Sequence, residues 1–210
     1  DINAELFSKK LQVNKRDYIN NKYLKILSII TVKKDSILIG EASEIRIENL
    51  GFNIAGSIFN KNNLDLKFIF DNQELGNLVL ETPVHLSPIY EAFYMSGDFS
   101  ANGSVNGVIS KLENPSLDIN YQIEDGDFRL KSNKFNFLDI SCKGKISNGS
   151  ERSFKTTKID IPKFKAKTKN GSMEGAFIIT NLNNYYLNAS FQSTWDLSVI
   201  NSYFKDSPLN

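Results

Sequence analysis

The chain has 210 residues, 40% of them hydrophobic, and its 25 lysines and arginines nearly match its 24 aspartates and glutamates. That supplies apolar material for one large all-β domain or two small ones, and the even charge gives no overall pull toward nucleic acid or an anionic membrane. A single cysteine, Cys142, rules out an internal disulfide, and a single histidine, His85, rules out a multi-histidine metal site.

No run approaches the roughly 20 apolar residues that span a bilayer, and DINAELFSKK at the start lacks the charged-then-apolar order of a signal peptide. The chain begins without methionine and stops in KDSPLN, which reads as a piece of something longer. RDYINNKYLKILSII (16–30) sets Ile19, Tyr23, Ile26, Leu27 and Ile30 at helical spacing and predicts a helix. From residue 36 the dominant period becomes two. Alternation runs through SILIGEASEIRI (36–47) and GFNIAGSIF (51–59), then sharpens in LDLKFIF (64–70), where Leu64, Leu66, Phe68 and Phe70 share a face.

LSPIYEAF (86–93) reads as a short helix, and LSVINSYF (197–204) repeats its leucine, serine, isoleucine and phenylalanine at the same offsets, 111 residues on. Between them come strands at 97–105, 116–123, 126–132, 138–146, 171–179 and 185–191. SLDINYQI aligns Leu117, Ile119, Tyr121 and Ile123, and YYLNASF aligns Tyr185, Leu187, Ala189 and Phe191. Asn-Gly pairs at 102/103, 106/107, 148/149 and 170/171 predict tight hairpins and an antiparallel meander, and IEDGDF (123–128) reads as a further turn rather than a calcium loop.

KIDIPKFKAKTKN (158–170) changes parity. Ile159 and Ile161 are odd, whereas Phe164, Ala166 and Thr168 are even, with Pro162 between them. A proline cannot donate to a ladder, so it marks a bulge that bends the strand while keeping one face apolar and Lys163, Lys165, Lys167 and Lys169 on the other. His85 has no sequence partner for catalysis or metal binding, and Cys142, alternating with Ile140 and Gly144, reads as a small buried apolar residue. Asn-X-Ser sequons at 102, 148, 170 and 188 matter only in a eukaryotic secretory pathway. Periodicity alone leaves two architectures open: a β-sandwich or barrel whose sheets cover each other, or an open sheet whose apolar face holds a ligand.

The order of these elements resembles the AsmA-like proteins of Gram-negative envelopes, particularly their large Bacteroidetes-type members. The features that carry it are a helix at HLSPIYEAF, then GDFSANGSVNG, Asn-Pro before SLDINYQI, DGDF, GKISNG, GSMEGAFIITNL and WDL before another helix, over roughly residues 64–205. The resemblance implies a mainly β fold: a long, strongly curved antiparallel sheet forming an open groove or half-barrel, with a few short helices. Residues 1–60 then become the end of a preceding β/helix unit, and 61–210 one or more repeating β-groove units.

It further implies a segment of an inner-membrane-anchored, periplasm-spanning protein that binds or conducts phospholipid acyl chains and supports outer-membrane lipid transport, assembly and integrity. The membrane anchor would lie outside this piece, and other envelope proteins are possible partners. Neither enzymatic chemistry, nor a cofactor or metal, nor nucleic acid enters this reading. The residues expected to line the groove are Leu66, Phe68, Phe70, Phe99, Leu117, Ile119, Tyr121, Ile123, Phe177, Ile179, Leu187 and Phe191. The competing reading is a structural or adhesive β-sandwich-like module that binds another protein through closed apolar faces.

Overall fold

The computed structural model describes residues 1–13, 16–81, 93–130, 136–168 and 171–195. The strands are β1 (Ile2–Val13), β2 (Arg16–Ser28), β3 (Ile30–Lys33), β4 (Ser36–Ile47), β5 (Leu50–Phe59), β6 (Asn63–Glu74), β7 (Phe93–Val108), β8 (Ser116–Leu130), β9 (Asn136–Ser147), β10 (Lys158–Thr168), β11 (Gly171–Thr180) and β12 (Tyr186–Trp195). One helix, α1 (Leu75–Leu80), lies between β6 and β7. All twelve strands belong to one antiparallel sheet, ordered β1-β2-β4-β5-β6-β7-β8-β9-β10-β11-β12, with β3 paired to β4. The sheet is curved and does not close into a barrel.

Each strand from β4 onward follows from period-two sequence. Its neighbours in the chain are its neighbours in space, so the meander needs only short links. The sheet is continuous across residue 60, where β5 pairs with β6 from Asn53↔Ile69 to Phe59↔Asn63. Seven ladders carry register shifts within a strand, including those between Ile39 and Ser43, Phe70 and Gln73, and Ile161 and Phe164. Bulges of this kind bend a strand and increase its twist, which is how a wide sheet acquires curvature. Pro162 sits in the last of them, as its sequence predicts.

Several local expectations are corrected. Residues 16–28 form β2 and not a helix: Leu24, Ile26 and Ser28 face the apolar side, while Tyr23 turns outward and stacks on Phe7 with ring centroids 4.9 Å apart. Pairing with β1 and β4 prevails over a helical spacing that contains two adjacent asparagines, which are weak helix formers. The Asn-Gly pairs at 102/103 and 106/107 lie inside β7, and IEDGDF lies inside β8, with the extra residues of a bulge between Ile123 and Gly126. Asp125, at φ 49°, takes the left-handed turn of that bulge. Asn148 and Gly149 do begin a turn, but it opens a ten-residue link, 148–157, and Thr168 pairs with Gly171 across the fourth Asn-Gly site. The expected helices at 86–93 and 197–204, together with His85 and Lys169, lie outside the described residues, except that Phe93 begins β7.

Helix α1 went unforeseen because six residues carry too little periodicity to register. Glu74 caps it by accepting the Asn77 amide at 3.0 Å. Leu75 is buried and, with the half-buried Leu78, packs on a cluster containing Phe99, Ala101 and Phe70. Its far end is fixed by an ion pair between Glu81 and Lys22 of β2, in which the Glu81 side chain is only 6% exposed. The Lys22 ammonium also donates to the Leu80 carbonyl at 3.1 Å. β2 and β6 are three ladder steps apart, roughly 14 Å along the sheet. A helix of about 9 Å plus a lysine side chain bridges that span only by crossing over intervening strands.

Two glycines in the middle of strands accommodate aromatic neighbours. A methyl group at Gly103 would stand 2.5 Å from both Phe68 Cζ and the Asp118 carbonyl, and one at Gly144 would stand 2.5 Å from the Tyr121 ring. Phe68 is paired with Gly103, and Tyr121 with Gly144, so each ring lies over the bare backbone of the adjacent strand. Gly103→Ala should therefore destabilise the fold by roughly 1–3 kcal/mol through overpacking against Phe68 and the β8 backbone. Urea unfolding checks this, and an unshifted midpoint would refute the covering role.

Candidate functional site: the apolar face of the sheet

Residues directly opposite in an antiparallel ladder point to the same side, so the register decides which side chains share a face. One row runs Ile54, Phe68, Gly103, Ile119, Ile146, Ile159, Ile179 and Leu187 from β5 to β12. The row beside it passes through Phe70, Ala101, Tyr121 and Gly144, and the next runs Phe99, Ile123, Cys142, Phe164, Gly175 and Phe191. Leu66 and Leu117 join through Val105, and Phe177 through Ile161. All twelve residues expected to line a groove therefore fall on one face.

The sequence reading missed other members of that face. Phe52 stacks on Phe70 at 4.9 Å, and Phe70 meets Phe99 edge-on at 6.2 Å. A second aromatic line joins Phe128, Phe137, Phe164 and Phe177 across β8 to β11, at 6.4, 6.4 and 5.2 Å. Such pairs contribute roughly 0.5–1.5 kcal/mol each beyond the area they bury. Phe164 was visible in the alternation of β10, whereas Phe128 and Phe137 sit next to bulges that shift the parity and hide them.

None of the ladder pairs on this face from Leu50 to Trp195 contains a charged residue. Further along, the buried Ser28 and Ser43 hydroxyls share a hydrogen bond of 2.8 Å, and the Ile29 amide donates to Ser43 at 3.3 Å. Burial on this face extends from Ser43 and Leu50 through Phe99, Ala101, Cys142, Ala166 and Met173, all under 10% exposed. Among the described residues no second sheet covers them. Over Phe99 and Ala101 the cover comes in part from Leu75 and Leu78 of α1, and elsewhere from neighbours on the same face, as the inside of a bend requires. At the β12 edge Leu187 and Phe191 are 59% and 57% exposed, so the dry surface continues to the end of the sheet.

The opposite face is polar. Lys163, Lys165 and Lys167 point there; Lys165 meets Glu174 at 2.7 Å, Lys167 meets Asp139 at 2.8 Å, and Lys145 meets Asp118 at 3.3 Å. A shallow hollow of about 600 Å³ opens on this side, walled by Asn102, Asn120, Gln122, Lys143 and Lys145 over the backbone of Phe70, Ala101, Tyr121 and Gly144. A twisted sheet is saddle-shaped and offers some concavity on both faces. Among the described residues no group of His, Cys, Asp or Glu side chains could hold a metal ion.

No family model, curated protein or solved structure matches this chain.

Two titratable groups report on the dryness of the apolar face. Burial pushes the Tyr121 phenol above its ordinary value of 10.0, with smaller contributions from Cys142 and Asp160, and burial likewise raises the Cys142 thiol. The fold thus favours the neutral phenol. Its contribution to stability is complete below 10.0 and is lost as pH rises toward the folded value, because the unfolded chain ionises first. Tyr121→Phe should flatten the alkaline decline in stability relative to the wild type. Urea unfolding at neutral pH and just above pH 10.0 measures it, and parallel declines would mean that Tyr121 is hydrated.

Proposed function

We propose that this chain is a lipid-binding segment, and that the apolar face of its sheet holds phospholipid acyl chains. The observation that carries the reading is the unbroken uncharged face from β5 to β12 in a single-layer sheet. Each methylene kept from water stabilises a bound tail by about 0.8 kcal/mol, so a tail of about fifteen methylenes gains roughly 12 kcal/mol before the costs of ordering. Exposed ion pairs such as Lys165–Glu174 contribute about 0–1 kcal/mol each, so the dry face and not the lysine row would govern affinity.

The arrangement of elements in the sequence resembles AsmA-like proteins, and on that resemblance the proposal extends to a segment of a longer periplasmic protein, tethered to the inner membrane and passing lipid toward the outer membrane. On this reading the chain catalyses no reaction. Its task is to lower the barrier to sliding, for which a continuous apolar lining suffices. The alternative, a structural or adhesive β-sandwich-like module, needs a second sheet or a partner protein over the same residues. The single layer of the described residues favours lipid.

Native mass spectrometry of the purified chain, followed by solvent extraction, tests the reading. Phospholipid should co-purify or be taken up from detergent dispersion, and Ile119→Lys should lose it by placing a charge in the middle of the lining. Asn102→Lys, one position from Gly103 but on the polar face, should retain it and controls for folding. An apo mass that resists loading, or equal loading of both variants, would refute the lipid assignment.

A further inference from the structure

The antiparallel order gathers the links β3/β4, β5/β6, β7/β8, β9/β10 and β11/β12 at one end of the strands. These tips are tied together. The Asn60 amide donates to the Asp35 carbonyl at 2.9 Å, and Ile109 to Asn62 at 2.9 Å. The Asn114 side-chain amide donates to the Arg152 carbonyl at 3.1 Å, and the Leu182 amide to the Phe154 carbonyl at 2.8 Å. Each tip is thus bonded to the next, and the five form a continuous rim rather than independent loops.

This rim directs large apolar side chains into solvent. Leu112 is 96% exposed, Tyr185 74% and Phe154 47%, and Val32, near the end of β3 beside the first link, is 75% exposed. Single exposed hydrophobics are ordinary on protein surfaces, but a hydrogen-bonded row of them is a surface with a use. The links 34–35, 60–62, 109–115, 148–157 and 181–185 also carry five basic residues (Lys34, Lys61, Lys111, Arg152, Lys155) and three acidic ones (Asp35, Glu113, Glu151), and Lys33 ends β3 beside them. One of the acids, Glu151, is engaged by Lys155 at 3.3 Å. A chain whose charges otherwise nearly cancel therefore concentrates a surplus of two positive charges in the links from which its apolar side chains protrude.

We infer that this rim docks on an anionic lipid surface, with Leu112, Val32, Tyr185 and Phe154 entering the interface and the lysines meeting phosphate-bearing headgroups. Apolar and aromatic tips set among cations are the composition that binds such surfaces, and Tyr suits the boundary with its apolar ring and polar tip. The site follows from the hairpin tips alone, but its use rests on the lipid reading above: it would hold the sheet's edge against the bilayer from which the apolar face takes its lipid.

Vesicle flotation tests the inference, using phosphatidylcholine alone and a roughly three-to-one mixture with phosphatidylglycerol. The wild type should float with the mixed vesicles, at least about fivefold more than with neutral ones, and should be released at ~0.5 M salt. Leu112→Asp, at a side chain almost wholly in water, should cut flotation at least about fivefold without altering the unfolding midpoint. Lys33→Glu with Lys34→Glu should do the same. Absent flotation, equal binding to neutral vesicles, or a Leu112→Asp variant that floats like the wild type would overturn the rim. The two readings separate cleanly: detergent-dispersed lipid taken up without flotation would sink the rim alone, whereas flotation without any lipid uptake would sink the groove alone.

Discussion

Outside the patch under α1, where Leu75 and Leu78 pack on Phe99 and Ala101, each apolar side chain of this sheet has only its own face for shelter, because the described residues contain no second sheet to lay over it. The bends follow from that condition. Bulges at Ile39/Ser43, Phe70/Gln73 and Ile161/Phe164 turn the strands so that side chains on one side crowd together. Phe68 over Gly103 and Tyr121 over Gly144 complete the shielding where a second bulky side chain would leave no room. The result is a surface that stays sheltered through β11 and opens to water at β12.

The same condition explains why charge is segregated so strictly. A lysine on the inside of a bend would find neither water nor a partner, and a charge desolvated without a partner costs several kcal/mol. On the outside, lysines find water and cross-strand carboxylates in Asp118, Asp139 and Glu174, at little energetic gain and little cost. The exception is the Lys22–Glu81 pair, and it is tied to α1, the helix that crosses over the strands. There, two charges neutralise each other and fasten the helix in the same contact.

The architecture was largely legible because period two persists wherever the ladder is regular. Strand β4 occupies the 36–47 span read from its alternation, and β5, β6, β11 and β12 lie within a few residues of theirs. Legibility failed where glycine or a bulge served the sheet instead of a turn. Gly103 and Gly107 follow asparagine and read as hairpins, yet both lie within β7, Gly103 because Phe68 needs the space. Phe128 and Phe137 belong to the apolar face, but bulges move them out of parity with Ile123 and Ile140. β2 was hidden by helical spacing, and its exposed Tyr23 finds its partner, Phe7, on a strand that the alternation did not reveal. The lining residues were readable as a face because ladder register preserves parity from strand to strand. What lies on that face is a question of ligand chemistry, which strand periodicity does not encode.

Among the described residues β12 forms the open edge of the sheet, which has a consequence for how such a surface could be enlarged. From Tyr186 to Trp195 the strand carries no charge and no proline, the features that normally deter another strand from pairing. A barrel fixes its interior when it closes, and a sandwich must match every addition with one on the opposing sheet. An uncapped single layer obeys neither limit. Each further antiparallel strand would widen the dry face by about 4.8 Å and bring its own outer row of polar side chains, so capacity would grow by simple addition, with contacts needed only to the strand before.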